Sequence, residues 1–482
     1  MCDETADISR KEQFSFCIRF ARNPLEAEEI FLGFYEVECT TSATLYSVIK
    51  DILIRFDLPL SNCRGQCYDG ARNMAAGKNG VQAEILGDER RALFVHCLAH
   101  SLNLVAQDTI KTIPICRDTL NLVKDLINFV RDSPKRLAMF QSIKSDDSTK
   151  LRPLCPTRWT VRFVSMSSVL SNYSALVEFF TTLAENDASD AGAKAAGFLR
   201  MMEKFDFYFT LMVLVKLFGY IDTVNTALQR KSLRLEEAYR MIETLKASLN
   251  FCIKEFSEVW ERVSSGKPAE VGSPKLPRKR RVPKRFDPDA QTQRGGLIAG
   301  SVEEIHESQY QEVINKVLES LDDRFKTESF EFLLEIEKFL LGDDANKAKI
   351  LSFYEGDVDP ERLLLHWEMF LQILKEPNKC VENISDIVGY FRKEPHLIEL
   401  LPEFVNFLNI FVTIPTTSAT PERSFSGLRR LKNYLRSTMG QQRLNSVAIL
   451  HFHKDMAKDL DMDEVLNEFI SRNNQRKKTF YM

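Results

Sequence analysis

Glycine and proline are both scarce in this chain, 19 and 17 of 482 residues. Together they make about 7% where ordinary usage is near 12%, which excludes collagen-like and Pro/Gly-rich disordered classes and favours long helices. Positive charge is not in surplus either: 65 Lys and Arg stand against 68 Asp and Glu, a net charge of −3. A nucleic-acid function would therefore have to rest on local basic clusters. Long hydrophobic runs are missing. The most apolar stretch, Phe207 to Val215, meets Lys216 and then Asp222, well short of the roughly 20 residues a bilayer-spanning helix needs. The first residues, MCDETADISRKEQ, are acidic where a secretory leader has a basic start. No leader is expected, and the chain reads as soluble with no membrane partner. Ten cysteines, at 2, 17, 39, 63, 67, 97, 116, 155, 252 and 380, have no framework spacing. They read as reduced thiols of a cytosolic or nuclear protein rather than as a secreted disulfide scaffold.

What is present is an ordinary globular balance, 44% hydrophobic and 28% charged, in a chain long enough for about two to four domains. Residues 13–22 alternate through Phe14, Phe16, Ile18 and Phe20, the period of a half-buried strand, and 29–37 reads as a second. From Thr41 the period becomes helical through Leu45, Val48, Ile49, Ile52, Leu53 and Phe56, with Thr41 or Ser42 as N-cap. A short strand through Cys67 and Tyr68 ends at Asp69-Gly70, a helical segment covers 79–86, and Ala92 to Val95 reads as another strand before a helix from about Ala99. The first 110 residues are therefore α/β, and beyond about 120 the spacing is helical, over 117–143, 163–185, 193–226 and 234–263. Residues 264–300, rich in Pro, Gly and Arg, interrupt this as a solvated basic linker. Helices resume at 301–342, 346–354, 360–376, 382–393 and 396–412, and a last block from Pro421 to His453 precedes a polar, basic tail.

Three acids stand in distinctive settings: Asp3 in CDETADIS, Asp69 in GQCYDGARNM and Glu422 in TSATPERSFSGLRRL. Each has a plain reading as well, as a frayed terminus, an Asp-Gly turn, and a first-turn carboxylate favoured by the helix dipole with Pro421 at the first helical position. Together they suggest more. An acid on the first strand and another just after the strand that follows the helix are brought side by side at adjacent strand ends. A third acid from a later helix completes a carboxylate site for Mg²⁺, a hard cation that prefers oxygen.

The blocks CDETADISRKEQ, YDGARNMAAGKNGVQAEI, HCLAHSLNLV, PTRW and IPTTSATPERSFSGLRRLKNYLRSTMGQQRLNSVAILHFHKD, in this order over nearly the whole chain, resemble hAT-type DNA transposases. The likeness is strongest to the branch that includes domesticated proteins with BED, MYM or THAP zinc fingers. It implies α/β plus all-α architecture, an RNase H-like catalytic core split by a large helical insertion. The bounds expected on this basis are 1–120 for the first part of the core and 121–395 for the insertion with its linker 264–300. The core's return with the dimerisation region is set at 396–455, and the tail at 456–482. The resemblance also implies that Asp3, Asp69 and Glu422 are the DDE triad, binding Mg²⁺ or Mn²⁺.

By the same resemblance Arg158 and Trp159 match the insertion-domain motif, in which the Trp stacks on a base flipped out near the cleavage point. Stacking of this kind returns about 1–3 kcal/mol to an unpaired base; the plain alternative is a core aromatic. Cys97 and His100 match the family's CxxH motif. With Cys63 and Cys67 they also invite a zinc reading, which is not expected because Cys67 lies in a strand and His100 near a helix start; a structural or DNA-proximal role near the triad is expected instead. The run Lys275, Arg278, Lys279, Arg280, Arg281, Lys284 and Arg285 is the strongest basic cluster, read as a nuclear localisation signal or phosphate-gripping arm, or else a merely solvated loop. Arg423, Arg429, Arg430, Lys432 and Arg436 follow Glu422 where phosphates would approach. Phe425, Leu428, Leu431, Leu435, Leu444 and Leu450 are apolar at helical spacing and serve a core or a dimer face.

Two departures from the family pattern set competing expectations. No zinc-binding module precedes Asp3, so DNA would be held without sequence preference. Only Met1 and Cys2 precede Asp3, where a strand has about 5–6 residues, so the first catalytic strand is expected to be cut away and Asp3 held loosely. One hypothesis is a homodimeric hAT transposase-like enzyme of the nucleus; the other is a domesticated, non-catalytic nuclear dimer acting as regulator or scaffold. Whether it is an enzyme stays open on the sequence.

Overall fold

The computed structural model describes residues 1–482 apart from 23, 146–148, 155–158, 231–234, 277–299, 376–380 and 481–482, and apart from the side chains of 159–161. The protein is mostly helical with small sheets, divided into two compact units. The first holds Met1–Cys97 and Glu331–Met482, the second Leu98–Arg230 and Leu235–Phe330. These divisions differ from the bounds at 120 and 395. The helical period begins at Leu98, directly after the last strand. On the other side, Phe339, Tyr354 and Phe370 pack on Phe407 and Phe404, so the helices after 331 share the core of the first unit.

In the first unit, β1 (Cys2–Ala6), β2 (Glu12–Ala21) and β3 (Ala27–Val37) form an antiparallel sheet in that order. A separate parallel pair is made by β4 (Gly65–Tyr68) and β5 (Leu93–His96). The expectation of a missing first strand is corrected: Asp3 is the second residue of a five-residue strand and pairs with Ser15 of β2. The ladder continues at Met1, whose amine donates to Cys17 O (3.0 Å) while Cys17 N–H donates to Met1 O (2.9 Å). Asp3 is thus flanked by paired residues on both sides, Met1 and Cys2 before it and Glu4 to Ala6 after it.

Phe14 and Phe16 point to one face of β2, into a core closed by Leu45, Ile49 and Ile52 of the helix Ser42–Arg55. Thr41 caps that helix, accepting from Thr44 N–H as the sequence suggests. The opposite face, Gln13, Ser15 and Cys17, is buried too. It is covered from the C-terminal block, by the helices Ala419–Leu431 and Gln441–Phe452. Close approach is enforced at two glycines. Gly33, at φ +144°, would place a Cβ 2.5 Å from Asn445 Oδ1, which accepts from Phe34 N–H (3.0 Å). At Gly427 a Cβ would overlap the Phe452 ring.

The second unit is a helical bundle without strands among its described residues. The expected segment 117–143 is two helices, Pro114–Arg131 and Pro134–Ile143, divided where Ser133 caps and Pro134 enters the first turn. The segment 193–226 likewise divides into Asp190–Met202 and Phe205–Leu228. Phe205–Leu228 is long and apolar enough to cross a bilayer by composition, but 56% of its apolar window is buried inside the protein, as in a core helix. The polar, basic tail is helical, in Lys454–Lys458, Met462–Ser471 and Asn474–Phe480.

Candidate active site

Asp3, Asp69 and Glu422 come from three places in the sequence and all belong to the first unit. Asp3 lies on β1, Asp69 directly after β4, and Glu422 in the first turn of Ala419–Leu431. The Asp3 carboxyl sits well above the usual carboxylate range, first because it is buried and next because the carboxylates of Glu422 and Asp69 face it. A hydrogen bond from Glu4 N–H to Asp3 Oδ1 (2.8 Å) opposes these effects only in part. Asp69 Oδ1 accepts from Ala71 N–H (3.0 Å), so the Asp-Gly turn expected here is present as well.

The Glu422 helix is fixed at both ends. At its start, Arg19 Nη1 pairs with Glu29 (2.9 Å), Thr420 Oγ1 donates to Glu29, and Arg423 Nη2 donates to Thr420 Oγ1 (2.7 Å). In its middle, the hydroxyls of Ser424 and Ser15 meet at 2.7 Å, Ser15 being the ladder partner of Asp3. At its end Lys432 Nζ, buried, pairs with Asp7 Oδ2 at 2.6 Å. Lys432 therefore leaves the group expected to meet phosphates: its ammonium is occupied holding β1 to this helix. Arg429, Arg430 and Arg436 are exposed, and a cleft of about 390 Å³ runs beside Arg429 between Thr5–Ile8 and Phe425–Tyr434.

For Cys97 a structural role near the acids was expected, but its partners were not. Cys97 is fully buried, and its Sγ accepts from Ser418 N–H (3.2 Å), the residue before the Glu422 helix. A hydrogen bond from the Cys67 thiol, aided by the Ser418 bonds, holds Cys97 below an ordinary thiol, outweighing burial and the Glu422 carboxylate. Burial pushes its donor Cys67 up. One sulfur thus joins the end of β4, the end of β5 and the start of the Glu422 helix. Glu4 and Asn73 were also missed: Asn73 Nδ2 donates to Glu4 Oε1 and to Thr40 O, both at 2.8 Å, tying the YDGARNM segment to β1. His100 lies in the first turn of Leu98–Thr112.

The donor chemistry, three carboxylates and no nitrogen, suits a hard divalent cation. The carboxylates are neighbours without forming a finished ligand set: among the described residues no group of three or more His, Cys, Asp or Glu is gathered as a metal site. The same holds for Cys63, Cys67, Cys97 and His100. Arg158 and Lys279, Arg280 and Arg281 lie outside the described residues, and Trp159 is described only as the first residue of the helix Trp159–Ser171. The apolar residues of the C-terminal block separate into two groups. Phe425, Leu428, Leu431 and Leu444 are buried in the fold, whereas Leu435 and Leu450 are 75% and 55% exposed.

Three domain families match this chain in order. Residues 1–80 match the family described as ZMYM1/FAM200, RNase-like domain; 95–196 match the ZBED1 RNase-like helical domain; and 371–456 match the hAT family C-terminal dimerisation region. Among curated proteins, the 52 kDa repressor of the inhibitor of the protein kinase is similar in both mouse and human. Each is 22% identical over 482 and 487 residues respectively, covering 95% of this chain and 62% of the relative. The chain thus spans about three fifths of the length of the curated relatives it matches. With an RNase-like domain, an RNase-like helical domain and the hAT C-terminal dimerisation region matched in this order, the chain is similar in domain content to hAT-transposase-derived proteins.

Proposed function

We propose that this protein is hAT transposase-like: an RNase H-like core interrupted by a helical insertion, in which Asp3, Asp69 and Glu422 hold Mg²⁺ or Mn²⁺ for DNA cleavage and strand transfer, acting as a dimer in the nucleus. The observation that carries this reading is the mutual approach of three acids distant in sequence, registered in the raised Asp3 carboxyl. A divalent cation supplies charge to the attacking and leaving oxygens of phosphoryl transfer. The chain's part is to orient the carboxylates. The Asp3–Ser15 ladder fixes the first, the Asp69–Ala71 turn the second, and the Cys97–Ser418 and Ser15–Ser424 contacts the third. Arg429 and Arg430 are exposed on the helix that begins with Glu422 and are suited to grip the DNA backbone.

The second reading is a regulator without catalysis. It is favoured by the unfinished ligand set and by the similar curated proteins, whose name is that of a repressor. Incubation of the full chain with supercoiled DNA and Mn²⁺ separates the two. Nicking that Asp69→Asn abolishes supports the enzyme; binding of DNA with no nicking at any metal concentration supports the regulator.

A further inference from the structure

The last helices carry a surface that nothing in their own fold covers. In Met462–Ser471, the residues Met462, Val465, Leu466, Phe469 and Ile470 recur at the i, i+3, i+4, i+7, i+8 spacing of one helical face. Every residue from 461 to 469 is nevertheless exposed, Met462 at 68% and Leu466 at 52%. Only Ile470 is buried, and Phe469 receives the Arg476 guanidinium at 3.9 Å from its ring centre. A ten-residue helix is marginal in water unless its apolar face is packed, and Asp461, which caps it by accepting from Asp463 and Glu464 N–H, cannot supply that alone.

A surface of complementary character lies just upstream. Ile449, Leu450 and Met456 are exposed on and after the helix Gln441–Phe452, among the exposed cations Arg443, Lys454 and Lys458 and the exposed acids Asp455 and Asp459, a balance of one positive charge. The tail's apolar stripe is flanked instead by Asp461, Asp463, Glu464 and Glu468, of which Glu468 pairs with Arg472 at 2.7 Å, so that with Arg476 over Phe469 the acids still outnumber the cations. Ile449, Leu450 and Met456 fall inside the region matched to hAT C-terminal dimerisation, residues 371–456, whereas the tail helix lies beyond it. We propose that Met462–Ser471 is the exchange arm of a two-fold dimer, laying Met462, Val465, Leu466 and Phe469 on Ile449, Leu450 and Met456 of a second copy of this chain. Two-fold symmetry uses the pair of surfaces twice, the net acidic stripe on the net basic one in each direction. The inference rests on the reading of this protein as a dimer and adds the surface that makes it.

Sedimentation of the full chain over a range of concentrations tests it, with Leu466→Glu/Phe469→Glu and, separately, Leu450→Glu. All three side chains are exposed, so unchanged circular dichroism is expected. The inference expects a dimer for the parent chain and at least about a 100-fold weaker association in both variants, the scale of losing central apolar anchors. In a Cys39→Ser background, Leu450→Cys with Leu466→Cys should oxidise to a covalent dimer. A parent dimer that both variants leave intact overturns the arm while dimerisation stands. A disulfide closed within one chain overturns the exchange. A parent chain that is monomeric at every concentration overturns dimerisation and the arm together.

Discussion

A carboxyl group that prefers its proton in the folded state makes stability depend on pH in a definite direction. Burial and the facing Glu422 and Asp69 carboxylates raise Asp3, so the folded protein binds that proton more tightly than the unfolded chain does. Its contribution is most favourable below the ordinary carboxylate range and is lost as pH rises through the raised value. Asp3→Asn is therefore expected to raise the thermal midpoint at neutral pH and to change it little near pH 3, as calorimetry at the two pH values would record. Cys97 is open to a similar one-residue test. Cys97→Ser keeps an acceptor for Ser418 N–H, whereas Cys97→Val leaves that buried donor unpaired at a cost of about 1–3 kcal/mol. Denaturant unfolding should show the larger loss for Val. If Cys97 positions Glu422, Mn²⁺ affinity should fall with Val and return with Ser.

At this scale the settings of the three acids, on a strand, after a strand and in the first turn of a helix, were legible. The Cys67–Cys97–Ser418 tie was not, since a thiol hydrogen bond between residues 30 and 321 positions apart leaves no trace in local spacing.

Among elements, the helix Ala419–Leu431 shows how one segment serves both a site and a core. Its exposed side offers Arg429 and Arg430, while Phe425 stacks on Phe34 at 6.3 Å and Gly427 admits the Phe452 ring. Gly427→Ala would force that ring aside, and a loss of about 1–3 kcal/mol in denaturant unfolding is expected. Leu428, 2% exposed, belongs to the same interior. Leu428→Glu should therefore lower stability by more than about 3 kcal/mol, through a buried unpaired charge, rather than yield a well-folded monomer. Circular dichroism melts would distinguish the two outcomes. The spacing rule that places Leu428 and Leu450 on helices is blind to what lies opposite, which explains why core and surface positions fell into one group. The strand pattern of β2 was legible on its Phe14 and Phe16 face. The burial of Gln13, Ser15 and Cys17 on the other was not, because their cover arrives some 400 residues later. In the tail, the polar and basic composition coexists with a helical period of Met462, Val465, Leu466 and Phe469.

For the whole molecule, assembly of the first unit from both ends of the chain is the feature that brings Asp3, Asp69 and Glu422 into one unit. Besides the strands, a charged cluster links the two parts. Arg64 donates to Asp357 (Nε to Oδ2, 2.6 Å), Arg91 pairs with Asp357 (2.7 Å), and the Arg91 guanidinium holds Glu89 down at about 2. Asp357→Ala leaves Arg64 and Arg91 without their shared acceptor and is expected to destabilise the unit by about 3 kcal/mol. The Glu89 contribution is present above its ordinary carboxylate value and lost as pH falls toward 2, so acid should loosen this cluster. The net charge of −3 conceals a local difference, since Arg429 and Arg430 are exposed on the same helix that begins with Glu422.

The most direct measurement is a Mn²⁺ titration of the full chain at pH 7.5, followed by the electron paramagnetic resonance signal of free Mn²⁺. A site built from Asp3, Asp69 and Glu422 predicts saturable binding that strengthens as pH rises and is lost in Asp3→Asn, Asp69→Asn and Glu422→Gln alike. Binding that survives in the triple variant, or none in the parent chain, would contradict a metal site formed by these three carboxylates.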